Sequence, residues 1–424
     1  MSAGEFGPGH RRSVSMSRRQ FLRRSAGAAV ALPSLSAILA ACSKPGTVSG
    51  GGSSGPSAFP IARQDNPVTL PMNGEPIPAD TPIEKGATLQ IYNWADYMWK
   101  KVLSEFEDKF DCKIEWTTFN NMSEAVQKMS SGQVAADVFF PTIDVLGKLV
   151  QAKLLQPLQH ELIPNLPKFM WKEYQNPFYD QGWRYTVPYT IYTTGIAYRR
   201  DHISDDEVAQ QGWDVLWNPK YKGKVGAYDD YRETISLGLL KNGVTDLNTG
   251  SQADITKAKD DILALVNDQS ASLDINGVYV KLPDDVFWAH LAWSGDIIGA
   301  QWYMPKGVST DVLGYWFPSD YQGPVNNDTI TIPSSSQNPR LAHEFLNFMV
   351  DKHYAFQNFT WNGYQPPLTS MNPDTLIPKG YVPKSVPEAI VRPEQFDKGL
   401  FELELAPDVD EMWLNAWDEI KAGA

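Results

Sequence analysis

The sequence is poor in cysteine and histidine, and this scarcity excludes several kinds of protein. Its 424 residues include two cysteines, Cys42 and Cys112, and six histidines. A disulfide framework needs paired cysteines, and a zinc site needs clustered Cys or His at short spacing. No histidine falls in an H-E-x-x-H pattern. We therefore expect no intrachain disulfide, no metal site and no cofactor.

Positive charge is also scarce beyond the first 41 residues. The whole chain has 37 basic and 50 acidic residues, and residues 1–41 hold six Arg and one Glu. The remainder therefore has 31 basic and 49 acidic side chains, a net charge of −18. Such a charge repels nucleic acid and attracts cations, although acidic chains are also common for solubility alone. We expect no nucleic-acid partner.

The uncharged stretch from Ser25 to Ala41 is too short for a convincing membrane span. It follows SRRQFL (Ser17 to Leu22), a pattern typical of twin-arginine export signals, and it ends in LAAC, which resembles the lipobox of bacterial lipoproteins. We expect residues 1–41 to be a removed signal peptide and Cys42 to carry a lipid anchor. The protein would then be extracytoplasmic, in the periplasm or on the outer face of the cell membrane. The alternative is a short amphipathic or buried helix after the arginines.

Residues 42–86 read as a linker. They contain GGGSSG and then the proline-rich run PVTLPMNGEPIPADTP, which together predict a flexible tether that becomes semi-extended. The G-x-S-x-G match at Gly51 to Gly55 lacks the flanking strand and helix of a nucleophile elbow. Roughly 340 residues remain, enough for two domains.

From residue 87 the chain alternates strand and helix patterns. Apolar runs predict strands at Thr88–Tyr92, Cys112–Phe119 and Asp137–Pro141. Helical spacing of apolar residues fits the segments between and after them. This order predicts an α/β fold with a mostly parallel sheet, and ligand sites at the carboxyl ends of its strands.

Later segments extend the pattern towards a second lobe. Arg184–Tyr198 is rich in β-forming residues and could cross between lobes. Thr329–Pro333 predicts a returning strand, Pro339–Val350 an amphipathic helix, and Pro407–Ala422 a C-terminal helix.

Polar and aromatic candidates fall where such strands end. They are Trp94, Asp96 and Tyr97 after the first strand, Thr142 and Asp144 after the third, Asp230 and Glu233 in DDYRE, Trp293 in LAWSG, Asp328 opening a later strand, and Tyr364 after a helix. Structural alternatives stay open. Asp96 could be a helix N-cap, with Trp94 covering the core, and Asp230 with Glu233 could be a capping pair. A lone Trp or Tyr is more often packing than contact.

Taken in order, the motifs YNWADYM, DVFFPT, VPY…TGIAY, WDVLWNPKYKG, DDYRE, LAWSG, NNDTITIP, NGYQPP and WDEIKAG resemble one family. They are similar to the spermidine/putrescine-binding proteins of ABC polyamine importers. The resemblance covers residues 87–424; WNPKYKG is shared with relatives of other specificity, whereas YNWADY and DDYRE point to polyamines.

The resemblance implies a two-lobed periplasmic-binding-protein fold of type II, closing about two crossing hinge segments. We expect residues 87–197 and 327–370 to form lobe 1, and residues 198–326 and 371–424 to form lobe 2. The family's ligand lies between the lobes. Carried over by position, Trp94, Tyr97, Trp293 and Tyr364 would be aromatic walls, Asp96, Asp230, Glu233 and Asp328 would bind amines, and Thr142 would add a hydroxyl.

The sequence departs from the family at three cleft positions. Asn326 stands where a Trp is usual, Asp144 where a Tyr is typical, and Ala95 where a hydroxyl residue is expected. These changes imply a more polar and acidic cleft and an altered choice among polyamines or other cationic amines. Gln395 is a weak match to the family's last polar contact.

These observations predict a monomeric, non-enzymatic receptor that works with a permease pair and a cytoplasmic ATPase. An exported carbohydrate-active enzyme is an alternative, since spaced acids and many Trp residues also suit a glycoside hydrolase. A binding protein for another small solute is a third reading. An anion or metal-chelate receptor would need Arg or Lys at the strand ends, and Arg232, which we expect to pair with a carboxylate, is the basic residue nearby.

Overall fold

The computed structural model describes residues 61–119 and 121–423. The first lobe is built on a three-stranded parallel sheet of order β2-β1-β3. Its strands are β1 (Thr88–Trp94), β2 (Lys113–Phe119) and β3 (Val138–Phe139). The helices that follow them are α1 (Lys100–Phe110), α2 (Met122–Ser130), α3 (Leu146–Gln151) and α4 (Asn165–Phe169). The predicted β-α-β-α order is therefore present in this lobe.

The second sheet is mixed rather than mostly parallel. Its order is β6-β5-β7-β4-β8, with antiparallel pairing of β4 to both β7 and β8. Its strands are β4 (Val187–Arg199), β5 (Val225–Ala227), β6 (Ser272–Leu273), β7 (Ala289–Trp293) and β8 (Leu313–Trp316). The helices along this part of the chain are α5 (Asp205–Gln211), α6 (Tyr231–Lys241), α7 (Gln252–Asp268) and α8 (Ser294–Gly299).

Two segments join the lobes. The first half of β4 pairs with β9 (Val325–Ile330), while its second half, from Thr194 onward, lies between β7 and β8. Strand β9 also bridges to the first lobe, where Asp328 pairs with Thr142, and Thr331, just after β9, pairs with Phe139. A strand was predicted at Thr329–Pro333, but β9 begins earlier, at Val325. It pairs there with residues Val187 to Thr193 of β4. Strands β4 and β9 are thus the two crossing segments of a two-lobed α/β protein.

The chain ends in five helices: α9 (Pro339–Met349), α10 (Lys352–Asn362), α11 (Pro373–Leu376), α12 (Pro393–Lys398) and α13 (Pro407–Gly423). Helix α13 packs against α6 and α7. Close packing of α6 on α7 depends on Gly238, because a Cβ there would lie 2.7 Å from the carbonyl oxygen of Ala258. This contact fixes the helix whose first turn carries Asp230 and Glu233.

Residues 61–86 are packed against the first lobe, unlike the flexible tether expected for residues 42–86. The backbone of Val68 hydrogen-bonds to Phe178 and Gln181, and the side chains of Val68 and Leu70 are buried. Alternate residues of an extended segment share one face, so both apolar side chains reach the core. The predicted signal peptide and Cys42 lie outside the described residues, and the lobe boundaries stay a prediction.

Within residues 61–119 and 121–423, no helix combines the length and the apolar character needed to cross a bilayer. The same residues contain no group of three or more His, Cys, Asp or Glu side chains placed to hold a metal ion.

Candidate functional site

A cleft of about 1220 Å³ lies between the lobes, at the ends of the strands. It is bordered by the segments that follow β1, β3, β5 and β7 and by the start of β9. The structure brings all the sequence candidates to this one cleft: Trp94, Asp96, Tyr97, Thr142, Asp144, Asp230, Glu233, Trp293, Asn326, Asp328 and Tyr364. Convergence of strand ends explains why residues so far apart in sequence meet here.

Asp328 is a buried acid held by one hydrogen bond. The Tyr97 hydroxyl donates to its Oδ2 at 2.6 Å, and its Oδ1 has no hydrogen-bond partner in the described structure. Burial raises the pKa of Asp328 to about 7. Tyr97 is itself buried, with its ring edge-on to Tyr189 and Tyr364, so its hydroxyl positions the acid and little of its ring is open as a cleft wall.

Glu233 is a second buried acid with a free oxygen. The indole N–H of Trp293 donates to its Oε1 at 2.5 Å, while its Oε2 has no partner. Burial raises the pKa of Glu233 well above its usual range, and the negative charge of Glu402 raises it further. Glu402 also has an unpartnered oxygen, Oε1, and burial raises its pKa to about 7.

Asp230 caps helix α6, as the structural alternative proposed. Its Oδ1 accepts from the backbone N–H groups of Arg232 at 2.9 Å and Glu233 at 3.2 Å. It nevertheless lines the cleft, and burial raises its pKa. Capping and facing the cleft are thus compatible for this residue. Glu233 is not part of a capping pair, because its carboxylate bonds Trp293 instead.

Asp296, at the start of α8, is held by two tyrosines. The hydroxyl of Tyr364 donates to its Oδ1 at 2.6 Å and that of Tyr228 to its Oδ2 at 2.8 Å. Burial raises its pKa to about 7, and these two hydrogen bonds oppose the rise. The ring of Tyr364 reaches this position because residue 295 is glycine; a Cβ there would lie 2.5 Å from the ring.

Aromatic rings line the cleft between these acids. Trp293 stacks on Tyr228 with ring centroids 3.9 Å apart, and Tyr192 contacts Trp293 and Tyr364 at 6.1 and 6.0 Å. On the side of the first lobe, the half-buried Trp94 packs on Phe119 at 4.7 Å. The cleft therefore alternates apolar ring surface with carboxyl groups.

The remaining candidates have distinct environments. Asp96 is exposed at the cleft edge with φ of 54°, and helix α1 begins later, with Trp99 as its N-cap, so Asp96 is not a cap. Thr142 and Asp144 are half-buried, and the Thr142 hydroxyl has no partner. Asn326 is buried, and its Oδ1 accepts from the backbone N–H of Glu402 at 3.2 Å. It thus ties β9 to the C-terminal segment rather than offering ring surface.

Two expectations about neighbouring residues were wrong. The guanidinium of Arg232 donates to the carbonyl oxygens of Leu403 and Leu247 and to Asn248, and among the described residues it forms no ion pair. Buried backbone carbonyl oxygens need a hydrogen-bond donor, and those of Leu403 and Leu247 receive theirs from the Arg232 guanidinium in place of a carboxylate. Gln395 is fully buried and accepts from the backbone of Arg392 at 2.7 Å, away from the cleft lining.

Among the lining residues that sequence reasoning missed, Tyr192, Asp296 and Glu402 lie beside the predicted acids and rings. A signal for Glu402 existed, since FELEL alternates apolar and acidic residues and places Glu402 and Glu404 on one face. Asp296 directly follows LAWSG, but an acid in the first turn of a helix is usually explained by the helix dipole. Tyr192 lies in a strand whose residues are all buried, so no alternation of polar and apolar residues distinguishes a cleft residue from a core residue there.

Comparison with known proteins agrees with this architecture. A family model for bacterial extracellular solute-binding proteins matches residues 101–380. The chain is 27% identical over 295 residues to spermidine/putrescine-binding periplasmic protein 1 of Haemophilus influenzae, which covers 69% of this chain and 78% of that protein. It is 25% identical over 276 residues to the putrescine/cadaverine-binding protein of Pseudomonas aeruginosa, covering 63% and 75%.

A solved structure shares the fold. The putative spermidine/putrescine ABC transporter from Listeria monocytogenes superposes with a TM-score of 0.67 at 23% identity, over 79% of this chain and 98% of that one. The predicted two-lobed periplasmic-binding-protein fold is thereby confirmed. Since the family model matches well over half of the sequence, the chain belongs to the bacterial extracellular solute-binding proteins, among which it is similar to those named for spermidine and putrescine.

Proposed function

We propose that this protein is the substrate-binding subunit of an ABC importer and that it captures a polyamine such as putrescine or spermidine in the acidic, aromatic-lined cleft. One observation carries the proposal. Glu233, Asp328 and Glu402 are buried carboxyl groups in one cleft, and each has an oxygen without a well-formed hydrogen bond, although the hydroxyls of Thr194, Tyr192 and Ser236 lie near them and lower the pKa of Glu233, Asp328 and Glu402, respectively. A buried acid left without a partner is costly, so a ligand that supplies donors and positive charge is strongly favoured there.

A polyamine supplies both at the required intervals. Each ammonium group can make a charge-assisted hydrogen bond with a carboxylate, worth about 1.5–3 kcal/mol. Methylenes between the amines pack on rings such as Trp293 and Tyr192, and a cation over such a ring gains about 0.5–2 kcal/mol. Several of these contacts are needed to offset the cost of ordering a flexible chain.

We propose that all eleven sequence candidates contribute to ligand binding, in different ways. Trp94, Trp293 and Tyr364 would supply ring surface, and Tyr97 would hold Asp328 in place. The acids among them would meet amines, with Asp144 as an additional anion, while Thr142 and Asn326 would adjust polarity. The names of the relatives, which specify spermidine, putrescine and cadaverine, support this ligand class.

A different cationic solute is the second candidate, because Asn326 is committed to the backbone of Glu402 instead of forming a ring wall. A carbohydrate-active enzyme is less well supported, since the relatives are named as binding proteins. The protein would accordingly perform no chemistry of its own.

We propose further that the protein works outside the cytoplasm as a lipid-anchored monomer. The SRRQFL pattern supports twin-arginine export, and LAAC supports lipidation of Cys42. The relative in Haemophilus influenzae is named as periplasmic. Its partners would be a permease pair and a cytoplasmic ATPase, to which the closed protein delivers its ligand.

Calorimetric titration tests the ligand. A chain beginning at Ser43, which retains every described residue, would be titrated with putrescine, cadaverine, spermidine, spermine, agmatine and glycine betaine at low and moderate salt. We expect saturable binding of at least one polyamine, weakened by salt.

Matched variants test the site. Asp328→Asn removes one buried acid and should weaken binding about 10- to 100-fold, the equivalent of one charge-assisted hydrogen bond. Asp108→Asn removes the same charge from an exposed position on α1 and should leave the affinity unchanged. A folded protein, free of carried-over ligand, that binds none of these amines would refute the proposal.

A further inference from the structure

The part of the cleft lined by α3 and α13, which we take as one end, already contains an ammonium group, that of Lys148. Its Nζ lies 2.9 Å from Asp410 Oδ2, and both side chains are almost completely buried. Tyr231 donates its hydroxyl to the other oxygen of Asp410 at 3.0 Å. Lys148, Asp410 and Tyr231 all line the cleft. Both carboxylate oxygens of Asp410 are therefore hydrogen-bonded, whereas Glu233, Asp328 and Glu402 each have one oxygen without a partner.

The surroundings of this ion pair are strongly acidic. Asp144 lies one helical turn before Lys148 and also lines the cleft. The carboxylate of Glu404 packs against Gly147, where any Cβ would clash with it, and the charge of Lys148 lowers the pKa of Glu404, which burial has raised to about 7. Arg63, behind Glu404, donates to its backbone oxygen at 3.0 Å. The Lys148 ammonium group thus pairs with Asp410 and acts on Glu404, with Asp144 on the same stretch of chain.

The ion pair spans the two lobes. Lys148 belongs to α3, which follows the last strand of the first sheet. Asp410 belongs to α13, which packs against α6 and α7 beside the second sheet. A ligand extending towards this end would meet a position that lysine already occupies.

We propose that Lys148 is a built-in ammonium group that closes this end of the cleft and limits the chain length of the amine that binds. This inference rests on the proposed polyamine-binding function. A lysine side chain is a four-carbon stem ending in a primary ammonium, the same chemistry as the end of a diamine. A longer polyamine could place its terminal amine at Asp410 only by expelling Lys148 from a buried ion pair, which is strongly unfavourable. Short diamines leave the pair intact, so the protein prefers them.

Removing this charge should change the preference. In Lys148→Met the unbranched apolar stem remains and Asp410 becomes available to a ligand amine. Calorimetry on the full chain in detergent would compare the dissociation constants for putrescine and spermine. We expect the wild type to prefer putrescine, and the affinity for spermine relative to putrescine to rise at least tenfold in the variant.

Lys128→Met is the matched control. Lys128 lies at the cleft border in an ion pair with Glu124, and its side chain is 39% exposed. Its removal takes the same charge from the same lobe, so it should change the two affinities by similar factors. The double variant Lys148→Met/Asp410→Asn should lose the gain for spermine, because the anion that would receive the amine is gone.

The outcomes separate the two proposals. Binding by the wild type with an unchanged spermine-to-putrescine ratio in Lys148→Met, or an equal change in Lys128→Met, would overturn the role of Lys148 alone. No binding of any amine by wild type and variants would overturn the proposed function and this inference with it. Should Lys148→Met fail to fold, Lys148→Gln carries the same test, since it removes the positive charge that competes with a ligand amine for Asp410 and its shorter side chain leaves room for that amine.

Discussion

Lowering the pH from 8 to 6 is expected to weaken polyamine binding about a hundredfold. Burial raises the pKa of Asp328 and of Glu402 to about 7 in the unliganded protein. Each carboxyl group must be ionised to hold an ammonium group well. The amines of the ligand, with pKa values near that of lysine, about 10.4, stay protonated over this range.

The size of the effect follows from the two pKa values. A group with a pKa of about 7 is about nine-tenths ionised at pH 8 and about one-tenth ionised at pH 6. Each group therefore costs about a tenfold loss of affinity, or about 1.4 kcal/mol, and the two together about a hundredfold. Glu233, whose pKa is also raised, acts in the same direction.

Calorimetry at pH 7 in phosphate and in Tris would measure the linked protons, because the two buffers differ in heat of ionisation. We expect about one proton to be released for each ligand bound, half from each group. Glu402→Gln should release about half as many. An affinity that is flat from pH 8 to 6, together with a binding heat that does not depend on the buffer, would refute the reasoning.

Two further predictions concern the architecture of the cleft. Gly295→Ala should weaken ligand binding and lower the melting temperature, because its Cβ would lie 2.5 Å from the Tyr364 ring and displace that hydroxyl from Asp296; unchanged affinity in calorimetry would contradict this. Gly307→Ala, where φ is positive and no atom lies within 4 Å, shows the effect of backbone strain without a clash and should leave the affinity unchanged. The unliganded protein should also lose stability as the pH rises from about 4 to about 7. The pKa values of Asp296, Asp328 and Glu402 are higher in the folded protein than in the unfolded chain, so the folded state retains protons that the unfolded state has released, and the free energy of unfolding falls between about pH 4 and 7. Thermal unfolding with and without ligand checks this, and a melting temperature that rises over the same interval would count against it.

Local pattern was sufficient for much of the fold. The first strand was expected at Thr88–Tyr92 and is found at Thr88–Trp94, and the C-terminal helix was expected at Pro407–Ala422 and is found at Pro407–Gly423. Helix α13 buries residues at helical spacing, and β1 is a short, mostly apolar run buried on both faces, so each signal is contained within its own segment. The antiparallel pairs of the mixed second sheet had no such signal, because pairing direction depends on partners distant in sequence.

The cleft shows the same division. Candidates directly after strands could be found from the sequence, because the carboxyl ends of the strands in an α/β sheet are where ligands usually bind. Glu402 was harder to find, because it lies in a segment without helix or strand and only the alternation in FELEL marks it. That segment is held by long-range bonds, from Arg232 to Leu403 and from Glu402 to Asn326. The binding role of each candidate remains a prediction until ligands are titrated.

The unbroken course of β4 has a mechanical consequence. One backbone ladder ends at Thr193 and the next begins at Thr194, so the lobes are connected by a hydrogen-bonded ribbon in place of a loose loop. Two side chains of the second lobe hold this junction at Thr193. The Ser294 hydroxyl accepts from the Thr193 backbone N–H, and the Tyr315 hydroxyl donates to the Thr193 carbonyl oxygen. The ring of Tyr192 lies in the cleft only one residue from Thr193, so it is very close to the point about which the lobes would rotate. A small push there by a bound molecule would become a much larger travel at the outer edges of the lobes. Those edges, and not the binding pocket itself, would then be where a membrane partner senses whether the protein is loaded.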